Sequence, residues 1–344
     1  MPRFLDSLEY TDFRRAGLKP RLLFQATTRH EAEQWQSSLR AEINKVLGGF
    51  PEEKCDLEAE VTEKKEFGRY TRETVYFRSR EHLNVKGYFL LPRNWDSPGP
   101  CVLCFPGHGR GVDDIVGINE DGSERKEYEG YQKDFALQTV DHGLAAFAIE
   151  QLSFGARRDE FARKAGPGAS SCMPSAGAAL LLGETMIGWR VWDAMRAIDY
   201  LLTRPEVDPS RIGAMGISVG GTTTLWLAAV DTSVRAAMVS GYFCPVGGSI
   251  AVVPHCIDNY VPGILKLCDH PDLAGLVAPR ALFVESGTKD GIFHIDQVRE
   301  GVRLAERIYE VFGCPEGFDH EYFEGEHQFH GKKGLPFLAN RLSA

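Results

Sequence analysis

The chain has 344 residues, 43% of them hydrophobic and 25% charged, which is enough for one large domain or two smaller ones. Its formal net charge is −9, with no long basic patch and no RNA- or DNA-binding motif. A nucleic-acid partner is therefore not expected, and strongly anionic polymers are disfavoured as substrates. No apolar run approaches the roughly 18 residues of a membrane span, and MPRFLDSLEYTDFRR has neither the apolar centre nor the cleavage site of a signal peptide. The expectation is a cytoplasmic chain without a membrane partner, with assembly into a homo-oligomer left open.

Residues 1–52 read as a helical arm. In RHEAEQWQSSLRAEINKVLGG the apolar Trp35, Leu39, Ile43 and Leu47 recur at steps of four, and Gly48 and Gly49 stop the helix. From Cys55 to Leu91 polar and apolar residues alternate, as in antiparallel strands. CVLCFP, Cys101–Pro106, is instead continuously apolar, the pattern of a central parallel strand. Further strands follow at Gly143–Glu150, Arg211–Ser218, Val234–Phe243, Arg280–Gly287 and Asp319–Gly325. Helices fall between them, at Glu184–Thr203 and His294–Phe312. In the first, Ile187, Val191, Met195, Ile198 and Leu202 form an apolar face. Arg190, Asp193, Arg196 and Asp199 mostly form the opposite, polar one.

Alternating strands and helices predict an α/β domain over residues 53–344: a mostly parallel sheet covered on both faces, with antiparallel strands at its N-terminal edge. Residues 244–275 interrupt the rhythm and carry four prolines, so they read as a small cap-like insertion. Loops of that length inside a compact domain are usually functional. Within it, DHPD at Asp269–Asp272 reads as a solvated turn. The eight cysteines show no secreted-domain spacing and read as free thiols. Cys101 and Cys104 should face opposite sides of their strand, which suits neither a metal nor a redox pair. No metal or other cofactor is expected.

AMGISVGGTT, Ala214–Thr223, places Ser218 between an apolar strand and a helix, with Gly216 and Gly220 two residues to either side. A G-x-S-x-G turn in this setting lifts a serine hydroxyl above the sheet, and larger side chains at the glycines would strike the neighbouring strand and helix. A nucleophilic serine needs an acid and a base. Asp290 lies just past a later strand, where α/β sheets place site residues, whereas the rival Asp296 lies inside a helix. His327 follows the last strand directly, and His330 is the alternative three residues on.

An oxyanion site needs two amides. One is that of Val219. The second is expected from PGHGRG, Pro106–Gly111, at Gly109 or Arg110. No Lys-Ser/Thr follows these glycines, which argues against a phosphate loop. His108 in the same loop reads as structural rather than as a base. His108, His255, Tyr260 and Glu150 are the candidates for substrate contact. The alternatives for Glu150 with Arg157 and Arg158 are a polar wall at the site or a surface ion pair.

Taken together, CFPGHGRG, VDPSRIGAMGISVGG, FVESGTKDGIF and GEHQFHG resemble the α/β-hydrolase superfamily from about residue 70 onward. Within it the chain is similar to the dienelactone-hydrolase-like and acetylxylan-esterase-like branch. The resemblance implies the α/β-hydrolase fold and a serine carboxylester hydrolase working through an acyl-enzyme. Its substrate would be a small-molecule, short-acyl ester such as an acetylated sugar. Dienelactone hydrolases proper carry cysteine at the elbow, so Ser218 points away from dienelactones. The alternatives are an amidase or peptidase with the same triad, and a non-catalytic binding protein of this fold.

Overall fold

The computed structural model describes residues 4–343. Nine strands form one sheet: β1 (Glu60–Glu66), β2 (Tyr70–Arg80), β3 (Leu83–Pro92), β4 (Gly99–Phe105), β5 (Ala145–Ile149), β6 (Val207–Ile217), β7 (Val234–Ser240), β8 (Ala281–Gly287) and β9 (Phe318–Phe323). Their order is β1-β2-β3-β5-β4-β6-β7-β8-β9. The first three strands and the β3–β5 pair are antiparallel, and from β5 through β4 to β9 every pairing is parallel. This is the expected α/β-hydrolase sheet with its antiparallel N-terminal edge.

The apolar runs are explained by two covered faces. On β4, Cys101, Leu103 and Phe105 join one core layer, and Val102 and Cys104 join the other. The first layer is sealed by the helices Met186–Leu201, Val219–Val230 and Ile295–Phe312. The second is sealed by the helices Phe135–Asp141 and Gly334–Ser343. Fully burying one such side chain stabilises by roughly 1.5–3 kcal/mol, so each layer fixes the strand register that aligns the site.

The N-terminal region contributes two helices, Ser7–Ala16 and Arg29–Val46. The second starts at a capping box: Thr28 Oγ1 accepts from the Glu31 amide, and the Glu31 carboxylate accepts from the Thr28 amide at 3.1 Å. Its Ala32, Leu39 and Ile43 are fully buried, and Trp35 Nε1 donates to the Leu22 carbonyl at 2.9 Å.

The polar face expected on the helix Met186–Leu201 is buried instead: Arg190, Asp193 and Arg196 are all under 4% exposed. The segment after β5 and the insertion meet Asp193 and Arg190, and the Cys55 carbonyl before β1 accepts from Arg196. Arg157 pairs with Asp193 at 2.6 Å and Arg190 with Asp258 at 2.7 Å. DHPD is likewise no solvated turn. Asp272 is buried and accepts from the Phe24 and Asp269 amides, both at 2.8 Å, which ties the N-terminal segment to the insertion.

Candidate active site

The loops that leave the C-terminal ends of β4, β6, β8 and β9 meet above the sheet. Ser218 is the single residue between β6 and the helix Val219–Val230. Its backbone is held at φ 57° and ψ −125°. That conformation costs a non-glycine residue roughly 1–3 kcal/mol and persists only where its surroundings impose it. The surroundings are tight. A Cβ on Gly216 would lie 2.5 Å from the backbone of Gly220, and one on Gly220 would lie 2.0 Å from the Phe105 carbonyl oxygen. The Ser218 amide donates to the Ser240 carbonyl at 2.9 Å, which fixes the turn against β7.

Asp290, in the turn after β8, is buried. Its Oδ1 accepts from the amides of Ile292 (2.8 Å) and Phe293 (3.0 Å), and its Oδ2 lies 2.7 Å from His327 Nδ1. Burial by itself would raise this carboxyl. The hydrogen bond and charge of His327, with the two amides, outweigh it and hold the group below the ordinary aspartate value. The His327 ring stacks between Tyr131 and Phe293, each 5.8 Å away at an interplanar angle of 23°. Its Nε2 is buried and has no hydrogen-bond partner among the described residues. Gly241, at φ +55°, leaves the ring its space, because a Cβ there would stand 3.0 Å from His327 Cε1.

His330, the alternative base, is turned elsewhere. Its Nδ1 lies 3.2 Å from Glu321 Oε2, and its amide donates to the buried Glu285 carboxylate. Glu285 also accepts from Ser240 Oγ and the Gly331 amide, so it ties the His327 loop to β7 and β8. Asp296 pairs with Arg299 on the helix surface.

Ser218 and His327 share a cavity of about 360 Å³ with His108, Tyr131, Val253, Pro254, His255, Cys256, Asn259, Ile292 and Phe293. Among the described residues its lining is mainly apolar and aromatic and contains no Lys, Arg, Asp or Glu. His255 is held on this wall, with its Nε2 2.6 Å from Ser249 Oγ. Tyr260 is not part of it. The tyrosine hydroxyl donates to the Ile250 carbonyl, and its ring borders a neighbouring groove with Leu18 and Val261.

The amides around Ser218 also differ from expectation at one position. Arg110 N–H is committed to Asp114 Oδ2 at 2.8 Å, and Gly107 N–H to Gln132 Oε1 at 2.7 Å. Those of His108, Gly109 and Val219 have no hydrogen-bond acceptor among the described residues. Arg110 is therefore removed as an amide donor, and its guanidinium clamps the loop to Asp114 and the Ile118 carbonyl. Tyr131 Oη steadies the same loop through the His108 carbonyl at 2.5 Å.

Glu150 is neither a cavity wall nor half of a surface ion pair. It is 1% exposed beneath the loop, and its carboxylate accepts from the Val112 and Ala156 amides. Gly111 and Gly155 make room for it. Burial and the charge of Asp113 push its carboxyl up to about 7, against the pull of the Val112 amide and Lys86.

Beside the cavity, His108, Cys172, Cys256 and Asp258 bring their side-chain tips together, and this set could hold a metal. Cys172 is drawn down from the ordinary thiol range by its hydrogen bond with Cys256, opposed by burial and assisted by His108 and Arg190. Cys172, Asp258, Tyr131, Phe293 and Gly241 carry no sequence signal of a site, because only long-range packing brings them here.

A family model described as the abhydrolase family matches residues 3–337. The Bacillus subtilis (strain 168) protein "Putative hydrolase YtaP" is 27% identical over 248 residues, which span 70% of this chain and 77% of that protein. Among solved structures, a "putative acetyl xylan esterase" from Bacteroides fragilis superposes with a TM-score of 0.81 at 20% identity, covering 98% of this chain and 90% of that one. A glucuronoyl esterase from Solibacter usitatus superposes with a TM-score of 0.69 at 17% identity, covering 95% and 98%. No helix among the described residues is long and apolar enough to cross a membrane.

Proposed function

This chain belongs to the abhydrolase family, and from that premise we propose that it is a serine carboxylester hydrolase acting through an acyl-enzyme. One observation carries the reading: a strained Ser218 shares a cavity with a histidine whose far nitrogen is anchored to a buried carboxylate. The esterase names of the structural relatives agree with it.

Ser218 Oγ attacks the ester carbonyl as His327 Nε2 takes its proton. That nitrogen is free to do so, because the Asp290 bond keeps the other proton on Nδ1. The negative charge that develops on the carbonyl oxygen meets the N–H of Val219 and a free amide of the β4 loop, from Gly109 or its neighbour His108. The imidazolium, stabilised by Asp290, protonates the departing alkoxide. Water then repeats the sequence on the acyl-enzyme and releases the acid. Positioned acid–base help of this kind is worth roughly 10²–10⁴-fold.

The reading is of an uncharged, short-acyl ester: the cavity of about 360 Å³ is lined by Val253, Pro254, Ile292 and Phe293 and, among the described residues, by no Lys, Arg, Asp or Glu. An acetylated sugar or small alcohol fits that description. A fluorophosphonate probe should label the wild-type chain and leave Ser218→Ala unlabelled. A panel of esters from acetyl to long acyl, with matched amides, should show fastest turnover on the short esters. Equal labelling of Ser218→Ala, or amide turnover at or above ester turnover, would overturn the proposal.

A further inference from the structure

We propose that His108, Cys172, Cys256 and Asp258 form a closed zinc site. It would pin the β4 loop to the helix Cys172–Leu181 and to the insertion. The four side chains come from three segments far apart in sequence, and their ligand atoms all lie within 4.8 Å of one another. Cys172 Sγ is 3.9 Å from His108 Nε2 and 3.1 Å from Asp258 Oδ2, and His108 Nε2 is 3.6 Å from Asp258 Oδ2. A tetrahedral zinc with bonds of about 2.0–2.3 Å places its ligand atoms about 3.3–3.8 Å apart, so these three already stand close to three vertices of one. Cys256, half-buried on the cavity wall, supplies the fourth.

The ligand types select the metal. Two thiolates, an imidazole and one carboxylate suit zinc and disfavour the hard, oxygen-seeking calcium and magnesium. The local charge balance agrees. Two thiolates and Asp258 present three negative charges, and the buried Arg190 supplies one positive charge, with Nη1 2.7 Å from Asp258 Oδ2 and Nη2 3.5 Å from Cys172 Sγ. A dication brings the set to neutrality. A carboxylate oxygen has lone pairs for both the guanidinium and a metal, so Arg190 and zinc do not exclude each other.

Binding forms four ligand–metal bonds and releases to solvent the protons that the two thiols still carry, with no electron transferred. The protein fills every vertex, so the ion has no open position for water, and hydrolysis remains with Ser218. Its work would be positional. His108 and Cys256 both line the cavity that holds Ser218, so the ion would fix two of its walls.

The test uses the full chain, stripped with a chelator and titrated with cobalt(II) as a spectroscopic probe. One cobalt per chain should bind, with a thiolate-to-cobalt charge-transfer band and the intense visible bands of tetrahedral cobalt, and zinc should bleach both. Cys256→Ser leaves the Arg190–Asp258 pair in place. It should weaken cobalt binding beyond the roughly 10–100-fold that loss of an outer partner costs. Cys172→Ala gives a second variant should that one fold poorly, and Cys55→Ser, remote from the set, should bind as the native chain does. Absence of stoichiometric binding, a spectrum without a thiolate band, or unchanged affinity in Cys256→Ser would overturn the site. The four side chains would then be an internal hydrogen-bonded network. None of these readouts depends on ester hydrolysis.

Discussion

Replacing Asp290 by asparagine tests the proposed chemistry with almost no change in shape. Asp290 Oδ1 faces two N–H donors, the Ile292 amide at 2.8 Å and the Phe293 amide at 3.0 Å. An asparagine NH₂ cannot sit there without opposing both, so its carbonyl oxygen takes the Oδ1 place and its NH₂ turns toward His327 Nδ1. The ring must then offer a lone pair at Nδ1, which moves its proton to Nε2, the nitrogen that should accept from Ser218. The enzyme would be folded but hold its base in the wrong tautomer. That error is worth about 10⁴-fold in kcat in a Ser-His-Asp site, or about 5.4 kcal/mol at 1.36 kcal/mol per decade. By contrast, Asp290→Ala strands two amides, each costing about 1–3 kcal/mol where buried, so it should also lower stability. The assay is kcat on a short-acyl nitrophenyl ester, paired with thermal melting and with ¹⁵N shifts that report which ring nitrogen carries the proton. If Asp290→Asn retained kcat within about tenfold of wild type while melting normally, the assignment of Asp290 to His327 would be wrong.

Three further outcomes are expected. Gly241→Ala adds a Cβ 3.0 Å from His327 Cε1 at φ +55°. It should cost about 1–2 kcal/mol in denaturant unfolding and reduce kcat at unchanged KM, and a wild-type kcat would contradict it. Tyr260→Ala should leave KM for short esters unchanged, because the ring borders the neighbouring groove, whereas His255→Ala should alter it; a raised KM in Tyr260→Ala would return that side chain to the cavity. The Glu150 carboxyl is raised from 4.5 to about 7, so the folded state holds its proton where the unfolded chain has lost it. Its contribution is thus fully present below pH 4.5 and is lost as the pH rises through about 7, a loss of order 3 kcal/mol. Glu150→Gln cannot ionise and should not show this decline when urea unfolding is compared across that window. Parallel pH profiles for the two proteins would refute the buried-acid reading.

Much of the fold was legible because local pattern and tertiary environment agree. The continuous apolar run of β4 is needed where helices cover both faces of the sheet. The glycines around Ser218 are needed where a Cβ would strike Phe105. Ser218, Asp290 and His327 could be singled out in order along the chain because each follows a strand, and a parallel sheet carries all such turns to one edge. The sequence misled where burial came from elsewhere in the chain. Arg190, Asp193 and Arg196 read as an outward polar face, yet the insertion and the segment after β5 supply the partners of Arg190 and Asp193, and the Cys55 carbonyl before β1 takes Arg196. Arg110 read as an amide donor, yet Asp114, four residues on, takes its N–H.

Ser218 at a tight turn, and acid and histidine candidates at strand ends, were determined by residue type and spacing alone. Which histidine meets Asp290, which amides stay free, that Tyr260 turns from the cavity, and that His108 meets Cys172, Cys256 and Asp258 were decided only by the tertiary structure. The reason is physical. Backbone sterics and apolar periodicity act over a few residues and are written into local sequence. A hydrogen-bond partner or a cavity neighbour is set by how distant segments pack, and no local pattern encodes that distance.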